Sequence, residues 1–268
     1  MAQTQSGGLS KRLTQLVKDG RRLNDDSFDS ESTLTQAIND EIIPYLKEKC
    51  ESVGGILVYK KSISLYECQQ YFYKSQDEVK VQLNEENKKV FMRPDGGIFI
   101  MSLNEDNIPL LIIEDKVQGT NDLLYEQNKK RQATGNAIER AAKNIRGAEM
   151  IFANQSIFPY VIFASGCDFH HSETISKRIE MMNYGIPNHY IEIGPNKTQK
   201  DTDEKIDEIV KCINIIKLSG KSVASVFVKA HKYDSMKHGA SLWKKQEIVS
   251  IIKKIIDKVF ETKMICNE

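Results

Sequence analysis

A mixed α/β fold, one sheet with helices on both faces, is predicted by three features of the sequence. Short runs rich in β-branched and aromatic residues follow one another between residues 56 and 113, separated by turn formers, as in an antiparallel meander. Beyond residue 123, helical stretches alternate with apolar runs, the arrangement that joins parallel strands. The composition, 40% hydrophobic and 28% charged with a mean hydropathy of -0.45, is that of a chain able to bury one substantial core.

Residues 1–30 are polar, with Asp25, Asp26 and Asp29 clustered beside Ser27 and Ser30, and are expected to form a mobile N-terminal arm, a short helix followed by a mobile connection. Otherwise the 268 residues read as one domain, since no repeat, low-complexity tract or linker divides them. Ser32 and Thr33 are candidate N-caps for a helix whose apolar stripe, Leu34, Ile38, Ile42, Ile43 and Leu46, runs to a stop at Gly54-Gly55. Strands are predicted at 56–59, 90–92, 98–101 and 108–113, with Gly96-Gly97 and Asn104 to Asn107 as turns between them. The Ala-, Glu- and Lys-rich segment 123–152 reads as helix interrupted at Gly135-Asn136. Strands at 158–164 and 222–228, helices at 173–182 and 201–218, and an amphipathic closing helix at 242–260 complete the outline.

No stretch approaches the roughly 20 apolar residues that span a bilayer. The start, Met1-Ala2-Gln3-Thr4-Gln5-Ser6, has no apolar secretory core, so a cytoplasmic protein without membrane association is expected. The cysteines Cys50, Cys68, Cys167, Cys212 and Cys266 are scattered without any C-x-x-C pair, which argues against a disulfide framework and a zinc site. Net charge is only +1, so attraction to a polyanion has to be local. Between residues 129 and 146 six cations (Lys129, Lys130, Arg131, Arg140, Lys143, Arg146) face the single anion Glu139. That is a phosphate-seeking segment or a solvated helix face, and charge alone does not choose.

Chemistry is suggested by Arg93-Pro94-Asp95-Gly96-Gly97 and, with eighteen residues between Asp95 and its start, by Glu114-Asp115-Lys116. On a strand Glu114 and Lys116 share a face while Asp115 points to the other. If the two segments pair, Asp95, Glu114 and Lys116 lie together. Two carboxylates with room for water suit a hard octahedral Mg²⁺ ion, and a nearby ammonium can orient a water or steady a phosphate, so phosphodiester hydrolysis fits. The acid-x-Lys triplet alone says little, because it recurs at Glu78 and Lys80, Glu86 and Lys88, Asp203 and Lys205, and Glu261 and Lys263. What distinguishes Glu114 and Lys116 is that they follow an apolar run, where unpaired charge is costly.

Within the basic stretch, Gly135-Asn136-Ala137-Ile138-Glu139-Arg140 could read a major groove: Asn pairs with adenine N6 and N7, and Arg donates to a purine N7. The same spacing also describes a helix N-terminus capped by Asn136 with Glu139 as its capping-box partner.

Four blocks in order resemble the EcoRI-type restriction endonucleases, of the PD-(D/E)xK nuclease superfamily. They are PDGGI at Pro94 to Ile98, E-x-K-x-Q-G at Glu114 to Gly119, GNAIER with a following KNI between Gly135 and Ile145, and FPYVIF at Phe158 to Phe163. A weaker fifth block places Arg178 ahead of Asn183-Tyr184-Gly185-Ile186-Pro187. The resemblance spans roughly residues 40 to 190. It implies a central five-stranded mixed sheet flanked by helices, with Asp95 and Glu114 as Mg²⁺ ligands and Lys116 serving the water or the scissile phosphate. It further implies that Asn136, Glu139 and Arg140 read the adenines of an AATT core, with Gly135 and Ala137 touching bases and Arg178 reading outward. The implied enzyme is a homodimer cutting double-stranded DNA to leave 5′-phosphates and four-base 5′ overhangs, alongside a cognate DNA methyltransferase.

GAATTC is the favoured site and RAATTY the relaxed alternative. Gln132 and Thr134 stand where the family pattern has methionine and alanine, and Ile175 replaces one of two outer arginines, so the outer base pair is open. Two other readings compete: a structure-selective repair or recombination nuclease with the same metal chemistry, and a non-catalytic DNA-binding protein. Convergence of Asp95, Glu114 and Lys116 discriminates them from a nuclease of this family.

Overall fold

The computed structural model describes residues 25–72, 88–117, 143–145, 147–148, 159–165, 177, 190–193, 200, 203–204, 207, 223–229 and 242–264. Helix α1 (Asp25–Ala37) runs through a π-helical turn (Ile38–Ile42) into α2 (Ile43–Ser52). Pro44 explains the turn: it has no N–H to return to the preceding helical ladder, and the Ile43 N–H instead bonds the Ile38 carbonyl five residues back. Ser32 and Thr33 therefore lie inside a helix rather than capping one, and Asp25 to Ser30, expected in the arm, are already helical. A polar first turn carries no apolar stripe, which is why the sequence places the start too late. Residues 1–24 lie outside the described residues.

Six strands form one sheet among the described residues, against five expected. They are β1 (Ile56–Lys60), β4 (Gly97–Leu103), β5 (Asp106–Val117), β6 (Pro159–Ser165), β7 (Tyr190–Ile193) and β8 (Val223–Lys229), in the order β1-β4-β5-β6-β8-β7. The four residues of β7 are too few for alternation to register in the sequence. β1, β4 and β5 pair antiparallel, whereas β5, β6, β8 and β7 run parallel. Phe91–Met92, predicted as a strand of the same meander, belongs instead to a separate ribbon: it is β3, paired with β2 (Ile63–Ser64) ahead of helix α3 (Leu65–Phe72). The remaining long helix among the described residues is α4 (Lys245–Met264), and no described helix is long and apolar enough to cross a membrane.

Strand β5 runs past its apolar section and carries Glu114, Asp115 and Lys116 inside the sheet, not at an emerging end. It accommodates Pro109 because the β4–β5 register slips there: Phe99 pairs with Leu111 and Ile100 with Pro109, leaving Leu110 as a bulge. β6 joins β5 only from Ile112 onward, so Pro109 interrupts no ladder on that side.

One face of the sheet, bearing Phe99, Met101, Leu111, Ile113, Val161, Phe163 and Phe227, is covered by α1, α2 and α4. Trp243 meets Phe163 edge-on at 5.3 Å and donates its indole N–H to the Ala164 carbonyl at 3.0 Å, fixing the entry to α4. The same face takes Asp115, which is buried and accepts a hydrogen bond from buried Ser30 of α1. The helical residues 143–145 lie on the opposite face, where Asn144 reaches Glu114. Helices thus flank both faces, as the sequence predicts.

Burial pushes the Asp115 carboxyl from 3.8 up to about 6, an effect only partly countered by Ser30. Its folded state therefore holds a proton more tightly than the unfolded chain. Stability falls as pH rises between those two values, and the whole cost is present above the upper one. Asp115→Asn is expected to stabilise the metal-free protein by about 2 to 3 kcal/mol at pH 8, with the gain shrinking to nothing near pH 4. Denaturant unfolding across that range checks it, and a gain independent of pH would count against the burial of an ionised carboxylate.

Candidate active site

Asp95 reaches the sheet by a tight turn that glycine makes possible. The turn closes with the Gly97 N–H on the Pro94 carbonyl at 3.1 Å, and the Gly96 N–H bonds the Ile113 carbonyl at 2.9 Å. Gly97 holds φ +85, and a Cβ on Gly96 would sit 2.6 Å from Cβ of Ile113. Neither position tolerates a side chain without displacement. The consequence is a carboxylate clamped beside β5, next to the residue that precedes Glu114.

Strand alternation then does what the sequence predicts. Ile112, Glu114 and Lys116 share one face of β5 and Asp115 takes the other. The Lys116 ammonium bridges the two carboxylates: it binds Oε1 of Glu114 directly, lies 3.3 Å from Oδ2 of Asp95, and donates to the Asp115 carbonyl at 3.0 Å. Two carboxylates and one backbone carbonyl thus surround a single cationic nitrogen. Burial works against the charge on Lys116, yet Glu114 and Asp95 outweigh it and raise its pKa above that of an ordinary lysine. The ammonium is the counter-ion that lets Glu114, only 3% exposed, remain in the sheet.

Two further side chains hold Glu114, and the sequence reading assigns a role to neither. Tyr160 on β6 donates its hydroxyl to Oε2 at 3.2 Å, and Asn144 approaches Oε1 at 3.4 Å. Tyr160 lies inside an apolar strand, FPYVIF, where only the parallel pairing with β5 reveals which side chains face Glu114. Lys143, expected to meet phosphates, is exposed and adjacent to Asn144, on the Glu114 side of the sheet. Gly135, Asn136, Ala137, Glu139, Arg140, Lys129, Lys130, Arg131, Arg146 and Arg178 lie outside the described residues.

Residues 22–262 match the family described as restriction endonuclease EcoRI. This chain belongs to the EcoRI restriction endonuclease family. The type II restriction enzyme EcoRI of Escherichia coli is 29% identical over a match that covers 51% of this chain and 57% of that enzyme. The chain therefore spans somewhat more than half the length of the curated relative it matches. Asp95, Glu114, Lys116, Asn144 and Tyr160 all fall inside the stretch shared with the EcoRI family.

Removing Lys116 while keeping both carboxylates leaves a buried anion without its partner. Lys116→Met is expected to destabilise the metal-free protein by about 2 to 4 kcal/mol, and adding Glu114→Gln should restore much of the loss. Urea unfolding of the two single variants and the double variant in chelator measures the coupling. Strictly additive effects would mean that the two side chains do not depend on each other.

Proposed function

We propose that the protein is a Mg²⁺-dependent type II restriction endonuclease, a homodimer that hydrolyses double-stranded DNA at a palindrome containing AATT. The observation that carries this reading is the convergence of Asp95, Glu114 and Lys116 at one point of the sheet, within a chain of the EcoRI family. A structural ion pair would need one acid, whereas here two acids and a carbonyl oxygen crowd one ammonium.

The donor set fits a hard divalent ion. All-oxygen ligation from Asp95, Glu114 and the Asp115 carbonyl, completed by water and a phosphate oxygen, is what Mg²⁺ takes. When bound, the ion supplies Lewis-acid stabilisation of phosphoryl charge and acidifies water. The chain's own part is positional: Asp95 is clamped by its turn, Glu114 by Tyr160, and Lys116 directs its ammonium to the attacking water or the scissile phosphate.

Recognition is assigned to Asn136, Glu139 and Arg140 on the adenines, supported by Gly135 and Ala137, with Lys129, Lys130, Arg131, Lys143 and Arg146 on phosphates. Arg178 would read the outer base pair, favouring GAATTC, while Gln132 would relax the choice toward RAATTY. Cleavage leaves 5′-phosphates on four-base 5′ overhangs. A two-fold dimer presents one site to each strand of a palindrome, and a cognate methyltransferase protects the host's own sites.

Glu114→Gln and Asp95→Asn are each expected to lower cleavage by roughly 100-fold or more while DNA affinity in chelator stays within a few-fold. Full activity in either variant would sink the metal assignment. Duplexes randomised at six positions, digested and sequenced at their ends, test recognition: AATT should be fixed, each wrong core pair costing roughly 1 to 3 kcal/mol. Cutting indifferent to AATT would refute the specificity. Sedimentation on a palindromic duplex should give two chains per site, and affinity should fall steeply with salt, because the phosphate contacts release counter-ions.

A further inference from the structure

We propose that Tyr160 is a positioning residue for Glu114, its hydroxyl occupying Oε2 so that Oε1 is the oxygen offered to Lys116 and to the divalent cation. The inference rests on the nuclease reading above and deepens it. The two carboxylate oxygens have different partners: Oε2 accepts from Tyr160 at 3.2 Å, whereas Oε1 is held by Lys116 and approached by Asn144 at 3.4 Å. A buried carboxylate free to rotate would present either oxygen, or both, to an incoming cation. A donor on Oε2 removes that freedom.

The geometry follows from the sheet. β6 runs parallel to β5 with Tyr160 opposite Ile112 and Ile162 opposite Glu114. Alternation puts Tyr160 on the face of Ile112 and Glu114, two residues behind the acid, and its long ring reaches forward along the strand. Packing alone does not call for the hydroxyl. The ring is 1% exposed, and phenylalanine would fill the same space without a polar oxygen to satisfy. Partners of this kind, one bond removed from a metal ligand, orient the ligand and tune its affinity.

The test is Tyr160→Phe beside wild type and Glu114→Gln, read in four ways. These are the Mg²⁺ concentration giving half-maximal cleavage of a duplex with an AATT core, Mn²⁺ affinity of the protein–DNA complex by calorimetry, DNA affinity in chelator, and the unfolding midpoint in chelator. Loss of the hydroxyl should raise the half-saturating Mg²⁺ and weaken Mn²⁺ binding, each by roughly 10- to 100-fold, with kcat reduced and the KM for DNA little changed. DNA affinity without metal should stay within about twofold, since the phenol is buried and its hydroxyl is taken by a carboxylate. A variant that binds Mn²⁺ as tightly as wild type overturns the proposal, whatever its unfolding midpoint. Calorimetry also separates the two readings: if wild type fails to cut while Glu114→Gln and Tyr160→Phe both weaken Mn²⁺, the nuclease assignment falls and the role of Tyr160 stands.

Discussion

Lys116 and Glu114 lie two residues apart on one strand, and the ion pair between them is the interaction on which the surrounding architecture depends. A carboxylate buried in a sheet is tolerated only with a counter-charge and with both oxygens satisfied. Each requirement is met from a different element. The ammonium comes from the same face of β5, a hydroxyl from Tyr160 on β6, and an amide from the helical residues on that side. Asp95 is then brought to the same ammonium by a turn whose glycines let it approach the backbone of β5. The parallel joining of β5 and β6 therefore does more than extend the sheet. It places the donor for Oε2 beside the acid.

Strand β5 is also held from its other side. Asp115 meets Ser30 on α1, and α1 is continuous through its π-turn with α2; the turn joins α4 through the ion pair of Glu41 with Lys253, and α2 through the bond of Tyr45 to Asp257. Such surface pairs contribute little individually. The apolar contacts of Leu34, Ile38 and Ile42 with Ile251, Ile252 and Ile255 carry the association, each fully buried aliphatic side chain being worth roughly 1.5 to 3 kcal/mol. The alternating residues of one short segment thus separate two tasks: Glu114 and Lys116 face the charged cluster, and Asp115 ties the strand to the helical layer.

Much of this was legible in the sequence, for identifiable reasons. The antiparallel pairing of β4 with β5 follows from the short turn at Asn104-Glu105, and the parallel pairing of later strands from the long connections beyond residue 117. The convergence of Asp95, Glu114 and Lys116 follows from alternation on β5 and from a glycine turn that only makes sense against a neighbouring strand. What stayed hidden depends on contacts distant in sequence. Tyr160 reads as one more apolar residue of FPYVIF until β6 is laid against β5 in register. The helix start at Asp25 lacks the apolar periodicity by which helices are found. The π-turn arises from Pro44 continuing a helix that the sequence would allow to end. Phe91–Met92 has strand composition, yet it pairs with Ile63–Ser64, a choice no local pattern encodes.

Charge explains how a chain of net charge +1 can suit a polyanion. Asp95, Glu114 and Lys116 together leave one formal negative charge, which by itself repels a phosphodiester. A divalent cation reverses that sign, and one phosphodiester then neutralises the site. On the proposed function, metal and duplex would favour each other's binding where the acids converge, and long-range attraction would fall to the cations between residues 129 and 146. Lys116 keeps the cluster from carrying two unopposed negative charges before either arrives. An ammonium suits that task because its three donors can serve Glu114, Asp95 and the Asp115 carbonyl at once, and on the proposed function its flexible stem would let it turn toward a phosphate once a cation took the carboxylates. Arginine, with its rigid planar fork, would hold the acids in the same place but could not yield them as readily.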